Sequence, residues 1–369
     1  FIVVLLIVVA ISMALTLLSE GIKGIPLVNS SVTTVSQSAD SKEKTTVTEQ
    51  ETSARIMENG DLLYHDIIYI SAKKSDGSYD FHENFEYVKP WLKQADLVLG
   101  DFEGTVNKDH YLAGYPLFNA PGEVMDAIKD AGYQVLDLAH NHILDSQIEG
   151  VVSTADAIEK AGMTPIGVYT HEPRDKAPIV IKEVKGIKVA LLAYSYGFNG
   201  IEQSISQEDY NRYLSDLDED KMKAEIERAE KEADITIIMP QMGVEYQIEP
   251  TEEQKKLYHK MIDWGADIIF GGHPHVVEPA ETVEKEGDKK LIIYSMGNFI
   301  SNQRIETMQD VENAKWTERG VLMDVTIKKK SGKTTIETAQ AHPSWVSRTP
   351  KGGYSPEGYP LYLYQTYIL

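Results

Sequence analysis

The sequence has no cysteine among its 369 residues, which excludes disulfide bonds and any metal site built from thiolates. It is also poor in positive charge, because 36 lysine and arginine residues stand against 57 aspartate and glutamate residues, a formal net charge of −21. Such a chain is repelled by nucleic acid and by anionic membrane surfaces. We therefore expect no nucleic acid partner, and a surface whose acidity serves mainly solubility.

The first eighteen residues, FIVVLLIVVAISMALTLL, lack any charge and any helix breaker. A run of this length is at the lower limit of what spans a bilayer as a helix. A cleaved signal peptide is the alternative, but its apolar core is usually shorter, and SMALTLLSEG offers only a poor cleavage site. We predict a single-pass transmembrane anchor over residues 1–18, which places the protein at the cell membrane.

Residues 19–55 contain no aromatic side chain and are rich in Ser, Thr, Glu and Lys. Such a composition buries too little apolar surface to offset the entropy lost on ordering, so it predicts a flexible stalk. An anchor followed by a stalk predicts a globular domain held outside the cell, away from the membrane.

Regular apolar patterning begins at about residue 56 and indicates one large domain over residues 56–346, followed by a C-terminal extension over residues 347–369. The extension, rich in Tyr, Pro and Gly, is expected to be irregular or an edge element. Predicted strands cover residues 67–70, 97–99, 135–138, 189–193, 235–239, 268–270, 291–294 and 321–327. Predicted helices cover residues 123–131, 147–161, 219–233 and 252–264. Strands that alternate with helices at this spacing indicate an α/β fold with at least partly parallel sheets.

Polar residues follow most of these apolar runs, and they are the candidates for a functional site. The carboxyl ends of strands in an open α/β sheet meet at one crevice, and glycines beside them allow the backbone to approach a ligand closely. Oxygen and imidazole ligands without sulfur suit Mn, Fe, Zn or Mg. The candidate metal ligands are Asp61, Asp101, Glu103, Asn141, Gln241, His273 and His275, enough for one or two ions.

Each of these residues alone also fits an ordinary turn, since Gly-Asp and Asn-His occur at many turns. The stretch GGHPH at residues 271–275 is more specific, because two of only ten histidines directly follow a predicted buried strand. It is their joint occurrence at strand ends that indicates a metal site.

The motifs, in this order, resemble the CapA family of capsule synthesis proteins, the PgsA-like poly-γ-glutamate group. That family is similar to the calcineurin-like metallophosphoesterases. The matching segments are Gly60-Asp61, Gly100-Asp101-Phe102-Glu103-Gly104, Ala139-His140-Asn141-His142, Gly243-Val244-Glu245-Tyr246, Gly272-His273-Pro274-His275-Val276 and Ser295-Met296-Gly297-Asn298-Phe299.

The resemblance implies a four-layer α-β-β-α sandwich with a divalent metal centre at the strand ends. It implies Asp61, Glu103 (or Asp101), Asn141, His273 and His275 as metal ligands. His142 corresponds to the histidine that stabilises or protonates a leaving group, and Glu245 would orient a ligand or bind substrate.

Two departures from the pattern bear on activity. Metallophosphoesterases usually begin with Asp-x-His, whereas Asp61 is followed here by Leu62 and Leu63. CapA relatives commonly carry His-Trp-Gly where this chain has Gln241-Met242-Gly243. An amide oxygen is a weaker ligand than imidazole for Zn, Mn or Fe, so at least one metal subsite is weakened.

Three functions remain open at this point. The first is an accessory of anionic polymer assembly, poly-γ-glutamate or a related capsule, that works with membrane-embedded capsule synthase subunits. The second is a surface metal-dependent phosphoesterase or related hydrolase, with His142 and Glu245 as catalytic residues. The third is a plain binding domain, which explains the anchor and stalk but not the clustered ligands.

Overall fold

The computed structural model describes residues 51–369. The predicted anchor and residues 19–50 of the predicted stalk lie outside the described residues. Between residues 51 and 369, no helix combines the length and the apolar character needed to cross a bilayer.

Residues 51–369 form two mixed sheets and seven α-helices. In chain order the strands are β1 (Glu51–Leu63), β2 (Leu97–Glu103), β3 (Val135–Asp137), β4 (Thr164–Ile166), β5 (Val180–Val184), β6 (Ile187–Ser195), β7 (Ile235–Gln241), β8 (Ile268–Phe270), β9 (Ala280–Lys285), β10 (Asp288–Ile293), β11 (Asn298–Ile300), β12 (Arg319–Lys330), β13 (Lys333–Tyr354) and β14 (Pro360–Ile368). The helices are α1 (Asp66–Ala72), α2 (Lys89–Leu92), α3 (Val124–Ala131), α4 (Gln147–Lys160), α5 (Gln207–Tyr213), α6 (Glu219–Glu232) and α7 (Glu252–Trp264).

The larger sheet has eight strands in the order β14-β13-β12-β1-β2-β3-β4, and β11 pairs with the end of β1. Its strands β1 to β4 and β11 run parallel, while β12, β13 and β14 join as antiparallel neighbours. The smaller sheet has the order β5-β6-β7-β8-β10-β9, with a parallel centre and antiparallel edges. The parallel strands of each sheet therefore end at one edge.

Alternation along the strands divides the apolar side chains between two faces. On β2, Leu97 and Leu99 pack between the two sheets, whereas Val98 and Phe102 pack against the outer layer that contains α3 and α4. The smaller sheet places Ile237 between the sheets and covers its other face with α6 and α7. Three apolar layers thus separate a helix layer, two sheets and a second helix layer, in agreement with the expected α-β-β-α order.

Most predicted elements are present, but the predicted strand at residues 67–70 is wrong. These residues lie in α1, with Ile68 and Tyr69 buried and Asp66 in the first helical turn. A short apolar run does not distinguish a strand from a buried helix by its periodicity. The four predicted helices correspond to α3, α4, α6 and α7, and α7 begins at a capping box formed by Thr251 and Gln254.

Both ends of the predicted domain extend further than the sequence pattern indicated. Residues 51–55, assigned to the stalk, are already part of β1 and pair with β12, and Arg55 forms an ion pair with Asp324 at 2.6 Å. The C-terminal residues 347–369 complete β13 and form β14, which is the edge strand of the larger sheet. Of the two expectations for this segment, the edge element is correct.

Candidate metal centre

Strand register brings the acidic residues of the larger sheet to one level. Asp61 on β1 lies opposite Asp101 on β2, which in turn lies opposite Asp137 on β3. Two residues further along, Leu63 lies opposite Glu103. The parallel arrangement of these strands is therefore what gathers carboxylates that are far apart in the sequence.

Asp61, Glu103 and His275 form the centre of the site. One ligand atom from each of the three side chains lies within 4.8 Å of the others. His275 Nδ1 is 2.8 Å from Asp61 Oδ2 and 3.8 Å from Glu103 Oε2. All three residues are buried, so water does not screen their charges.

The electrostatics of this centre fit a divalent cation. Burial raises the pKa of Glu103 to about 7, and both of its carboxylate oxygens lack a hydrogen-bond partner in the described chain, as does Asp61 Oδ1. Burial disfavours a charged ring at His275, yet Glu103 and Asp61 outweigh it and raise the pKa of His275 to about 9. Buried carboxylate oxygens without donors are costly unless a cation binds them. One imidazole with two carboxylates is a ligand set suited to Zn, Mn or Fe.

The backbone of the GGHPH turn is strained and held in place. His273 and His275 have φ angles of 96° and 58°, in the left-handed region that non-glycine residues seldom occupy. Gly271 precedes them because a Cβ atom there would lie 2.0 Å from Tyr294 O. The Tyr246 amide donates to Pro274 O at 2.8 Å, and Asn298 Nδ2 donates to His275 O at 3.3 Å. Strain of this kind is frequent at ligand-binding turns.

Asp101 and Gln241 bind each other beside the three-residue centre. Gln241 Nε2 donates to Asp101 Oδ2 at 2.7 Å. Burial, reinforced by the charges of Asp137 and Asp61, raises the pKa of Asp101 well above its usual range. Below them is a cavity of about 10 Å³ that Glu58, Asp61, Asp101 and Asp137 line. Gln241 Oε1 is buried and has no hydrogen-bond partner among the described residues, so it is the atom that Gln241 could offer to a metal.

Asn141 and His273 lie beside the centre with a free ligand atom each. Asn141 Oδ1 and His273 Nδ1 are buried and have no hydrogen-bond partner among residues 51–369. Asn141 is oriented through Nδ2, which donates to Asn199 Oδ1 at 3.2 Å. The His273 ring lies 6.1 Å from that of His275, and burial lowers the pKa of His273 to about 3, so its ring is neutral and able to bind a metal.

The two predicted catalytic residues occupy different environments. His142 is buried, and its Nδ1 lies 2.7 Å from Asp145 Oδ2, which also accepts from the Phe118 amide. This fixes the ring and leaves Nε2 as the nitrogen that can exchange a proton. Glu245 is exposed at the rim, where its charge raises the pKa of both Glu103 and His275.

Several residues of the site were not among the sequence candidates. Glu58 and Asp137 are buried beneath the centre, and burial raises the pKa of Asp137 to about 8. In the sequence, the only indication of these two residues is a carboxylate within a strand whose other residues on the face between the sheets are apolar. Tyr196 packs over His273, with ring centroids 4.4 Å apart, and Tyr246 lies 6.1 Å from His275. Nothing in the spacing of these two tyrosines distinguished them from core aromatics.

The part of the chain that builds this site matches the sequence model of a known protein family. Residues 55–303 match the model described as bacterial capsule synthesis protein PGA_cap. The chain belongs to this family. The match includes every candidate ligand and both predicted catalytic residues, and it confirms the CapA resemblance.

Two curated relatives are similar to this chain over part of their length. The capsule biosynthesis protein CapA of Bacillus anthracis is 33% identical over 228 residues, which are 59% of this chain and 54% of that protein. The PGA biosynthesis protein CapA of Bacillus subtilis (strain 168) is 30% identical over 223 residues, 59% of this chain and 57% of that protein. The chain thus spans little more than half the length of the relatives that it matches.

Among solved structures, the chain is similar to the calcineurin-like phosphoesterase YfkN from Bacillus subtilis. The two share 14% sequence identity with a TM-score of 0.47, over 80% of this chain and 91% of the other.

Proposed function

We propose that this protein acts at the cell surface in the synthesis or export of an anionic capsule polymer, poly-γ-glutamate or a related one. It would do so beside membrane-embedded synthase subunits, to which the apolar run at residues 1–18 would hold it. Family membership and the two CapA relatives support the capsule assignment. The uncharged run supports the membrane location.

The observation that carries this proposal is the buried Asp61, Glu103 and His275 centre inside the family-matched region. A divalent cation held there would supply a positive charge that attracts an anionic group of the polymer. Asp61 and Glu103 would hold the cation, and the strained turn would keep His275 in position. Tyr196, 45% exposed, packs against His273 beside this centre and would contact the polymer.

The proposal is tested in a capsule-forming strain that lacks its own copy of this gene. The full chain should restore polymer at the cell surface, whereas Glu103→Gln should lower it by at least about tenfold, since the buried centre loses a carboxylate ligand. Glu253→Gln, an exposed glutamate at the start of α7, is the matched control. Protein abundance is measured by immunoblot in each strain.

A second variant tests the membrane location. A chain that begins at Ser19 should accumulate without supporting polymer export. Normal export by this shortened chain, or normal polymer with Glu103→Gln at equal abundance, would contradict the proposal.

A hydrolase is the second candidate, and the His142–Asp145 pair favours it. A bound cation would supply an activated water and polarise a phosphoryl oxygen. Asp145 holds the His142 ring through Nδ1, so that Nε2 could pass a proton to a leaving oxygen. The full chain with added Mn²⁺ should then cleave bis-p-nitrophenyl phosphate, and His142→Gln and His273→Ala should each remove this activity. No cleavage with Mn²⁺, Zn²⁺, Fe²⁺ or Mg²⁺ would count against the hydrolase.

A further inference from the structure

A second cavity, away from the metal centre, lies on the side of the sandwich where the chain passes from β4 of the larger sheet to β5 of the smaller one. It has an outer part of about 770 Å³ and an inner part of about 280 Å³. Arg174, Glu225 and Arg228 line both parts, so the two parts adjoin at these residues. In the described part of the chain, no candidate metal ligand lines it.

The lining of the inner part combines apolar residues, which reach the interface between the sheets, with polar ones that include Glu159, His171 and Glu172. Six of its lining residues are Ile166, Val168, Ile179, Val180, Leu191 and Ala193. Ile166, Leu191 and Ala193 belong to the apolar layer between the sheets. The apolar residues of this lining offer a surface against which a short hydrocarbon chain can be buried.

The outer part is lined by four basic residues, Arg174, Arg212, Lys221 and Arg228. Arg174 is buried and already neutralised, because its guanidinium pairs with Asp216 at 2.5 Å and with Glu225 at 2.9 Å. Lys221 lies 3.7 Å from Asp216. Three acidic residues also line the outer part: Asp175, Glu208 and Glu225. Of these, Glu225 is already paired with Arg174.

Arg228 and Arg212 keep hydrogen-bond donors available. Arg228 Nη2 donates to Ala177 O at 2.8 Å, while its buried Nε has no hydrogen-bond partner among the described residues and lies 4.0 Å from Glu232. Arg212 stacks on the Tyr213 ring, 5.1 Å from its centroid. Arg228 lines both parts and Arg212 the outer part, so two guanidinium groups border this cavity in a chain of net charge −21. Guanidinium forks match the geometry of phosphate and carboxylate.

We propose that this side cavity binds an amphiphilic anion, a phosphate or carboxylate attached to a hydrocarbon chain. The hydrocarbon enters the inner part between the sheets, and the head group lies between Arg212 and Arg228. The ligand is either a membrane lipid or a free amphiphile, since both present the same chemistry. The site is independent of the metal centre and of the polymer.

A photoreactive probe tests the proposal on the full chain in phosphatidylcholine vesicles. Dodecyl phosphate with a terminal diazirine is irradiated with the protein, and the labelled peptides are identified by mass spectrometry. We expect label within residues 164–193. Arg228→Gln should lower it by about tenfold, because a hydrogen bond to a charged group is lost. Val180→Trp, which fills the inner part from the edge strand, should lower it as well.

Lys223→Gln is the matched control, since Lys223 lies on the same helix, α6, and pairs with Glu227 at 3.8 Å outside the cavity. Unlabelled dodecyl phosphate should compete with the probe, whereas dodecanol and inorganic phosphate should not. Competition by phosphatidic acid in the vesicles would identify a lipid as the source, and competition by the free amphiphile alone would identify a soluble one. Label outside residues 164–193, label unchanged by Arg228→Gln, or equal competition by dodecanol would overturn the proposal.

Discussion

The layer between the two sheets has an apolar half and an acidic half. Along β1, Ala54 and Ile56 pack in the apolar half, and Glu58 follows them on the same face. On β2, Leu97 and Leu99 are followed by Asp101. The same strands thus build both halves, and on the face between the sheets only their carboxyl ends carry charge. The smaller sheet contributes no carboxylate at the matching level, where β7 ends in Gln241.

The two halves differ in what stabilises them. The apolar half is stabilised by burial alone, at about 25 cal/mol per Å² of apolar surface. The acidic half holds Glu58 with both oxygens unpartnered in the described chain, and burial raises its pKa well above the usual range. Carboxylates in such surroundings favour protonation or a bound cation. We therefore expect the acidic half to respond to metal and pH, and the apolar half to neither.

The largest expected effect is the loss of metal when the acidic half loses its imidazole. His275→Ala removes one of three clustered ligand atoms and the partner of Asp61 Oδ2. Metal affinity should fall by more than about 100-fold, since changes even beyond the direct ligands typically cost 10–100-fold. Isothermal titration of the metal-free full chain with Mn²⁺ or Zn²⁺ measures this.

His259→Ala is the control, because His259 is a half-exposed residue of α7 that pairs with Glu281 at 2.8 Å. Equal affinity of His275→Ala and the unmodified chain would show that the three-residue centre is not the metal site.

The next largest effect is a stability loss confined to the apolar half. Ile237→Ala leaves a cavity at a fully buried position between the sheets and should lower the free energy of unfolding by about 2–5 kcal/mol. Ile237→Val, the conservative control, should cost about 0.5–1.5 kcal/mol. Urea unfolding of the full chain, with and without metal, measures both. A loss that depends on metal would show that the two halves are coupled.

How far the sequence predicted this architecture depends on the kind of signal. The buried parallel strands are clear apolar runs in the sequence. The sequence therefore predicts β7, β8 and the polar residues that follow them. Strands β13 and β14 have mixed composition and no regular alternation of buried with exposed residues, so their sequences carry no clear strand pattern. Helix α1 contains the apolar run at residues 67–70, and four residues are too few to show whether the pattern has the period of a helix or of a strand.

The sequence predicts which residues belong to the site, but not which of them contact one another. Motif order indicated that Asp61, Glu103 and His275 are ligands, and these three residues converge. Asp101 and Gln241 were in the same set, yet they are bonded to each other, which depends on the register between the sheets and not on local spacing. Glu58 and Asp137 lie just before the motifs that contain Asp61 and His140 but outside the matching segments, and only the folded chain shows them buried beside the centre.

A further expected effect is a change in how the free energy of unfolding depends on pH. Burial raises the pKa of Asp137 to about 8, so this group stabilises the metal-free protein below its unfolded pKa of about 4. That contribution is lost as the pH rises through 8. Asp137→Asn cannot ionise and keeps an oxygen for the Ala139 amide, which donates to Asp137 Oδ1 at 2.6 Å. Its free energy of unfolding should therefore fall less steeply between pH 4 and pH 8 than that of the unmodified chain, by urea unfolding in EDTA.

Burial raises the pKa of Glu103 to about 7, so the contribution of Glu103 to stability is also lost as the pH rises. The measurement therefore depends on the difference between Asp137→Asn and the unmodified chain, and not on the slope of either one alone. Asp263→Asn, at an exposed position 4.0 Å from Lys285, is the control and should leave the slope unchanged. With metal bound, the acidic half is neutralised by the cation, and the difference between Asp137→Asn and the unmodified chain should shrink. A difference that persists at full metal occupancy would show that Asp137 titrates independently of the centre above it.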